Sequence, residues 1–470
     1  MTPKIKPCDN CRIFQYVDET SKYTGSQAEN SPSQDSSLEV HDQFSRRMTP
    51  YQFPTEEISR APTTQRKPEP IYLPLPQRDK SDLIYEVNLG EAFLLRYFVE
   101  ELARWFDICD PERHFGVVVP QRVRFCSPLF NAVLSASARH FTTLPDYRQK
   151  EKTVKFGLQE DLIISEAAVL DYHCRSIAHL RRLANEPDAI MDENILAAAV
   201  VLRFYEELDA PFIDLPTGAA TRGLQVFIEV QADLALTSSG LRHAAFWVGF
   251  RQEFHMAFSQ QRSFSLSLDV CDNYLSWGAA PDHILVNRLL IIAAHVLQYC
   301  YDEKNQSTPY GYEDLVTLHR RWVEARPLSF LPIYSDAPNK ENGEIFPRKW
   351  YMNDCHILAE QSVGLIKILL TAYDPSVARV GPGQQRAMES IDTKLKSAVL
   401  DICGIAMSNR QEPTALLTAS IAIAICGDRF SDRAEQQALM DIVVNTIRDN
   451  NYWPSTALGA KLEKSWNWVL

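Results

Sequence analysis

From about Ser81 onward, apolar residues recur at steps of three and four, the spacing that lines one face of an α-helix. Asn88 followed by Glu91 reads as a capping box, and Leu94, Phe98, Leu102 and Trp105 then share a face at steps of four, four and three. Ser127 and Pro128 read as cap and first turn of a helix through His140, whose Ala132, Ser135 and Ala136 let a neighbour approach closely. The same pattern predicts helices over Glu160 to Leu183, Asp192 to Leu208, Leu241 to Gln260, His283 to Tyr301, Glu313 to Ala325 and Asp354 to Ala372. Further ones follow at about Arg386 to Ser408, Pro413 to Cys426 and Asp432 to Asp449, with a short one near Lys461. The expected fold is all-α, a large body of roughly a dozen helices.

Alternation with period two is scarce. The run Val117 to Val119, closed by Gly116 and Pro120, is long enough for a strand fragment and no more. Asn342-Gly343 sits in a polar loop, Ser335 to Phe346, which reads as a mobile insertion. The first 80 residues differ: they hold 10 of the 27 prolines, with 11 basic and 11 acidic residues and polar tracts such as Ser31 to Ser37. A segment of that composition buries too little apolar surface to offset its chain entropy and is expected to be a disordered arm. Its last stretch, Pro68 to Pro76, mixes prolines with Ile71, Leu73 and Leu75 and suggests an extended strap on the body. The division is therefore 1–80 for the arm and 81–470 for the helical domain.

Charge narrows the partners. The chain carries 60 Asp and Glu against 48 Lys and Arg, a formal net charge of -12, so its bulk repels phosphates and any DNA contact must be local. Met1 to Phe14 is polar and broken by Pro3 and Pro7, which does not read as a secretory signal. After Cys8 and Cys11 the remaining cysteines are scattered singly among apolar residues, as reduced core thiols are. The most apolar window, Ile284 to Cys300, contains Asn287, Arg288 and His295, and Leu416 to Cys426 is short, so no membrane partner is expected.

Catalytic signatures are missing from the sequence: no G-x-S-x-G, no Walker A, no H-E-x-x-H. Gly381-Pro382-Gly383 reads as a plain turn, because Pro382 has no amide to give a phosphate and Arg386 occupies the third glycine's place. His173, Cys174 and His179 fall within a predicted helix and read as a core thiol beside surface histidines. In the Leu241 to Gln260 helix, Phe246, Phe250 and Phe254 form a stripe at steps of four with Trp247 beside it, together with Arg251 and Glu253. This is either a core helix whose charges are paired elsewhere or the floor of a pocket for a small-molecule effector. Cys8-Asp9-Asn10-Cys11-Arg12 could grip one edge of a zinc ion, whose stable sites need four ligands.

Several blocks, in order, resemble the fungal-specific transcription factor domain that follows zinc-cluster DNA-binding modules, in particular the ARCA-like group. They are Tyr97 to Glu100, Cys109 to Phe115, Leu134 to His140, Ile195 to Ala198, Arg203 to Pro211, Ala245 to Glu253, Arg326 to Phe330, Phe346 to Tyr351 and Tyr452 to Pro454, and the likeness covers about residues 88 to 470. The resemblance implies an all-helical regulatory domain in a nuclear transcriptional regulator. It also implies transcriptional partner proteins, a homodimer or an effector as companions, and DNA reached through a module holding two zinc ions on six cysteines (Zn2Cys6). Lys6 to Arg12 matches that module's opening, with Cys8 and Cys11 as zinc ligands and Arg12 toward DNA, and there the match stops at Ile13 to Glu19. The rival readings are a regulator that works through partners without DNA, and a helical enzyme whose site carries no known motif. Buried carboxylates or histidines clustered around a polar pocket would favour the enzyme.

With no further thiol before Cys109, the cage cannot close locally, and Lys4, Lys6 and Arg12 against Asp9 leave only +2 on the first twelve residues. Three phosphate contacts give a salt slope of about -3 and no base readout. Metal analysis of the purified chain should find no stoichiometric zinc, and a salt-dependent DNA titration no sequence-selective binding. Two zinc ions per chain, or selective binding near physiological salt, would mean that cysteines of the body or of a second chain complete the site.

Overall fold

The computed structural model describes residues 87–158, 163–183, 186–209, 219–302, 308–377, 380–450 and 456–468. The arm, with its strap at Pro68 to Pro76, lies outside the described residues, as do Cys8, Cys11 and Arg12. The described part is all-α apart from one small hairpin.

The chain enters through α1 (Leu89–Tyr97), capped as expected: Asn88 accepts from the Glu91 amide and Glu91 accepts from the Asn88 amide. A π-turn over Phe98–Leu102 then adds a residue to the helical repeat. That insertion rotates the next turn, Ala103–Phe106, so that Phe106 is buried in place of the expected Trp105, which packs at the edge of the core. After it, Val117 and Val119 belong to two short helical turns, His114–Val117 and Val119–Arg122, and not to a strand fragment. The reason is local: the Asp107 carboxylate accepts from the Phe115 and Gly116 amides and starts the first turn, and Pro120 sits in the first positions of the second.

A first group of helices follows: α2 (Ser127–Thr143), α3 (Asp146–Lys155), α4 (Glu166–Leu183), α5 (Glu193–Asp209) and α6 (Ala219–Thr237). Ser127 lies inside α2, whose cap is Cys126, and Pro128 is in its first turn. The small residues act as expected, since Ala132, Ser135 and Ala136 are fully buried where α2 packs against α4 and α5. The second group comprises α8 (Asp282–Tyr301), α9 (Tyr312–Ala325), α10 (Asp354–Ala372), α11 (Gln384–Ser408), α12 (Ala415–Cys426), α13 (Arg433–Asn450) and α14 (Thr456–Ser465). Between α6 and α8 in the chain runs α7 (Leu241–Gln260), which touches α5 and α6 of the first group and α8 and α12 of the second. Gly249 permits this crossing: a Cβ there would meet Ile228 of α6 at 2.5 Å and Val200 of α5 at 3.3 Å. Helices α8 and α10 are long and apolar enough to cross a bilayer, and 67% of each apolar window is buried in the body, where the two pack on each other.

The expected insertion is a tethered hairpin. Strands β1 (Tyr334–Asp336) and β2 (Arg348–Trp350) pair antiparallel, with Tyr334 opposite Trp350 and Asp336 opposite Arg348. Backbone bonds from Lys349 to Ser408 Oγ (3.1 Å) and from Tyr351 to Asn409 Oδ1 (3.2 Å), with Asn409 Nδ2 donating to Lys349 O (2.7 Å), fasten β2 to the end of α11.

Being enclosed, α7 must settle its polar side chains inside the protein. Glu253, 2% exposed, accepts from Arg203 of α5 (2.9 Å), from both terminal nitrogens of Arg262 (2.6 and 3.1 Å) and from the Ser265 amide and hydroxyl (3.1 and 2.5 Å). Burial pushes this carboxyl up, but the two guanidinium groups and Ser265 outweigh it and hold it down at about 2. A lowered carboxyl contributes stability that is present above its unfolded value of 4.5 and lost as pH falls toward 2. Glu253→Gln should therefore cost about 3–5 kcal/mol at neutral pH, because Arg203 stays buried with its main partner gone. In urea melts the gap between variant and parent should narrow as pH falls from 4.5 toward 2; a gap of equal size at all pH values would show that packing, not charge, is lost.

A carboxylate-lined cleft as candidate functional site

The block Cys109 to Phe115 is a tight turn organised by its own acids. Asp110 Oδ2 accepts from the His114 amide (2.7 Å) and from His114 Nδ1 (2.8 Å), while Oδ1 accepts from the Glu112 amide (3.2 Å). Arg113 takes a left-handed conformation, φ 55°, which brings the chain back toward Asp107. This turn forms one wall of a cleft of about 650 Å³; the N-terminal ends of α8 and α10, with Asp282, His283, Asp354 and Cys355, form the rest. Asn353 caps α10 by accepting from the Cys355 amide at 3.0 Å.

Four aspartates therefore face one space, and each has a partner. Asp107 holds two backbone amides, Asp110 holds His114, Asp282 accepts from His356 Nε2 at 2.8 Å, and Asp354 lies 3.9 Å from Arg104. Burial raises Asp107 to about 6 against the pull of its amides and raises Asp354 against the weaker pull of Arg104. Burial also pushes Asp110 up and His114 down, but their mutual bond wins and moves both the other way, toward the ionised pair. His283 is lowered, first by burial and then by His243 nearby. Burial raises Cys109 to about 11 and raises Cys355 further, so neither thiol offers a thiolate. Glu412, fully buried behind this region, is pushed up to about 7 by burial against the bonds from the Thr414 amide and hydroxyl, and does not line the cleft. Such a set can hold a polar molecule by hydrogen bonds and charge.

The aromatic helix lies elsewhere. Phe246 and Trp247 are 2% exposed and Phe250 and Phe254 are fully buried; Phe246, Trp247 and Phe250 pack on one another, on Phe264 and on Tyr274, and Phe254 packs on Phe258. Arg251 donates to the Phe106 carbonyl at 2.6 Å and borders a cavity of about 30 Å³, room for a water molecule. The stripe is thus core, the first of the two readings, with its rings buried among neighbouring helices. His173 is half-buried and stacks on Tyr205 at 4.3 Å, so it is not a surface residue, and His179 Nδ1 lies 3.4 Å from Ser127 Oγ. Gly381 and Gly383 take positive φ in a turn that leads into α11, as read.

Cys109, Cys126, Cys174, Cys271, Cys300, Cys355, Cys403 and Cys426 are all free thiols. Among the described residues no group of three or more His, Cys, Asp or Glu is placed to hold a metal. The cleft has no signature in the sequence because its acids come from three distant segments, although Asp110 to His114 is part of one of the blocks. No family model, no curated protein and no solved structure matches the chain.

Trp247→Ala should act through folding, with a loss of about 3–5 kcal/mol in denaturant melts. An unchanged melting temperature would overturn the core assignment and return the helix to a binding role.

Proposed function

We propose that the helical body is the regulatory domain of a nuclear transcriptional regulator of the fungal zinc-cluster family, which in this chain works mainly through partner proteins. The observation that carries this is where the family-like blocks meet. Tyr97 of the first block is bonded to His140 of the third at 2.7 Å, and Arg203 is bonded to Glu253 of a later block at 2.9 Å. Within another, Asp110 holds His114, and the block Phe346 to Tyr351 forms the strand fastened to α11. Blocks that resemble one family in order, though far apart in the chain, meet in contacts of the body, and this supports the reading.

The zinc-cluster opening at Cys8 and Cys11 adds to the family reading, and its missing continuation argues against DNA contact by this chain. The cleft fits a regulator that senses a polar effector. It also bears on the rival reading of a helical enzyme, since four aspartates and a histidine line it.

Fusing the full chain to an unrelated DNA-binding module, and placing that module's site before a reporter gene in a fungal host, tests the regulator. Reporter output should change several-fold in either direction, and a fluorescent fusion should accumulate in the nucleus. Unchanged output from an abundant, folded fusion that stays outside the nucleus would remove the reading.

A further inference from the structure

A second cavity, of about 310 Å³, lies between the loop Leu275–Ala280, helix α8 and the end of α9. Its volume falls at the small end of the range of about 300–1,000 Å³ found for small-molecule sites. Trp322, 3% exposed, is fixed as a wall because its indole Nε1 donates to the Leu285 carbonyl at 2.9 Å. Trp277 supplies a second aromatic surface, and Leu285 and Ile292 of α8 continue the apolar lining.

Two arginines enter this lining, and no Asp or Glu does. Arg326 is neutralised by Glu360, at 2.6 Å. Arg288 is different: its terminal nitrogens donate to the Gly278 carbonyl (2.8 Å) and the Ser276 hydroxyl (2.7 Å), both uncharged, and its Nε is buried without an acceptor among the described residues. A guanidinium has five N–H groups, so further donors remain, and no carboxylate lies within ion-pair distance of it among the described residues. Arg288 is only partly buried, so water meets part of its charge, and an incoming carboxylate would add charge-assisted bonds to its remaining donors.

We propose that this pocket binds a small apolar monocarboxylate, one with a single aromatic ring or a branched aliphatic body. The ring or branch lies against Trp277 and Trp322, and the carboxylate pairs with Arg288. An ammonium group on the same molecule would find no carboxylate in the lining, so an amino acid binds less well than the acid lacking the amine. This inference goes beyond the regulatory reading and needs only the pocket's own chemistry.

Phenylacetate, phenylacetamide and phenylalanine, titrated calorimetrically into the full chain, separate shape from charge. Phenylacetate should bind one per chain with a Kd of about 1 mM or tighter. The amide should be about tenfold weaker or worse, the difference a charged hydrogen bond makes. Arg288→Gln should abolish the preference for acid over amide, and Ala325→Phe, which fills the pocket from an exposed position on α9, should abolish binding of both with helical content unchanged. No saturable binding of phenylacetate to folded protein, equal affinity for acid and amide, or binding untouched by Ala325→Phe would each overturn the proposal. Because the reporter measurement needs no ligand, failure here and failure of the regulatory reading are told apart.

Discussion

The body is organised around a helix that has no face left for water. Helix α7 contacts α5, α6, α8 and α12, and all but a few of its residues are buried. A helix in that position can keep charged residues only where each has a partner across an interface. Glu253 meets Arg203 from α5 and Arg262 from the turn after α7, Arg251 reaches the Phe106 carbonyl, and Gln252 donates to the Val200 carbonyl at 3.0 Å. These bonds run to different neighbours, so they fix the rotation of α7 about its own axis as well as its place. Aromatic packing, which is directional only weakly, could not do that by itself.

The polar cleft and the apolar pocket both lie away from this centre. The polar cleft lies where α8 and α10 begin, and the apolar pocket lies where α9 ends and the loop before α8 passes over it. This follows from packing: most side chains along α8 and α10 are closed off by neighbours, whereas space is left where loops depart, and Arg288 and Ile292 of α8 border the apolar pocket there. The cavities also differ in charge balance. Acids in the cleft have internal partners, while Arg288 in the apolar pocket has neutral ones, and the proposed preference of the pocket for an anion rests on this asymmetry.

Several helix ends were legible from local signals, although Ser127, read as a cap, lies inside α2. Helix α7 runs from Leu241 to Gln260 and α10 from Asp354 to Ala372, the bounds read from the sequence. Gly240 and Gln261 take positive φ on either side of α7, and Asn353 caps α10. Helix α6 was not foreseen, because Val226, Ile228 and Val230 make it a poor helix by intrinsic preference and packing against α5 and α7 overrides that. The hairpin was not foreseen either, since three residues per strand give no readable alternation and its tether comes from Ser408 and Asn409, more than fifty residues later.

What the sequence determined by itself is the helical class and most helix boundaries, because periodicity, caps and breakers act over a few residues. It also showed that the aromatic stripe of α7 is either core or pocket, without choosing. Only the tertiary structure made that choice, by surrounding the helix, and only it brought Asp107, Asp282 and Asp354 together or left Arg288 beside two tryptophans. Those outcomes depend on which distant segments share a space, and no local pattern of side chains encodes that.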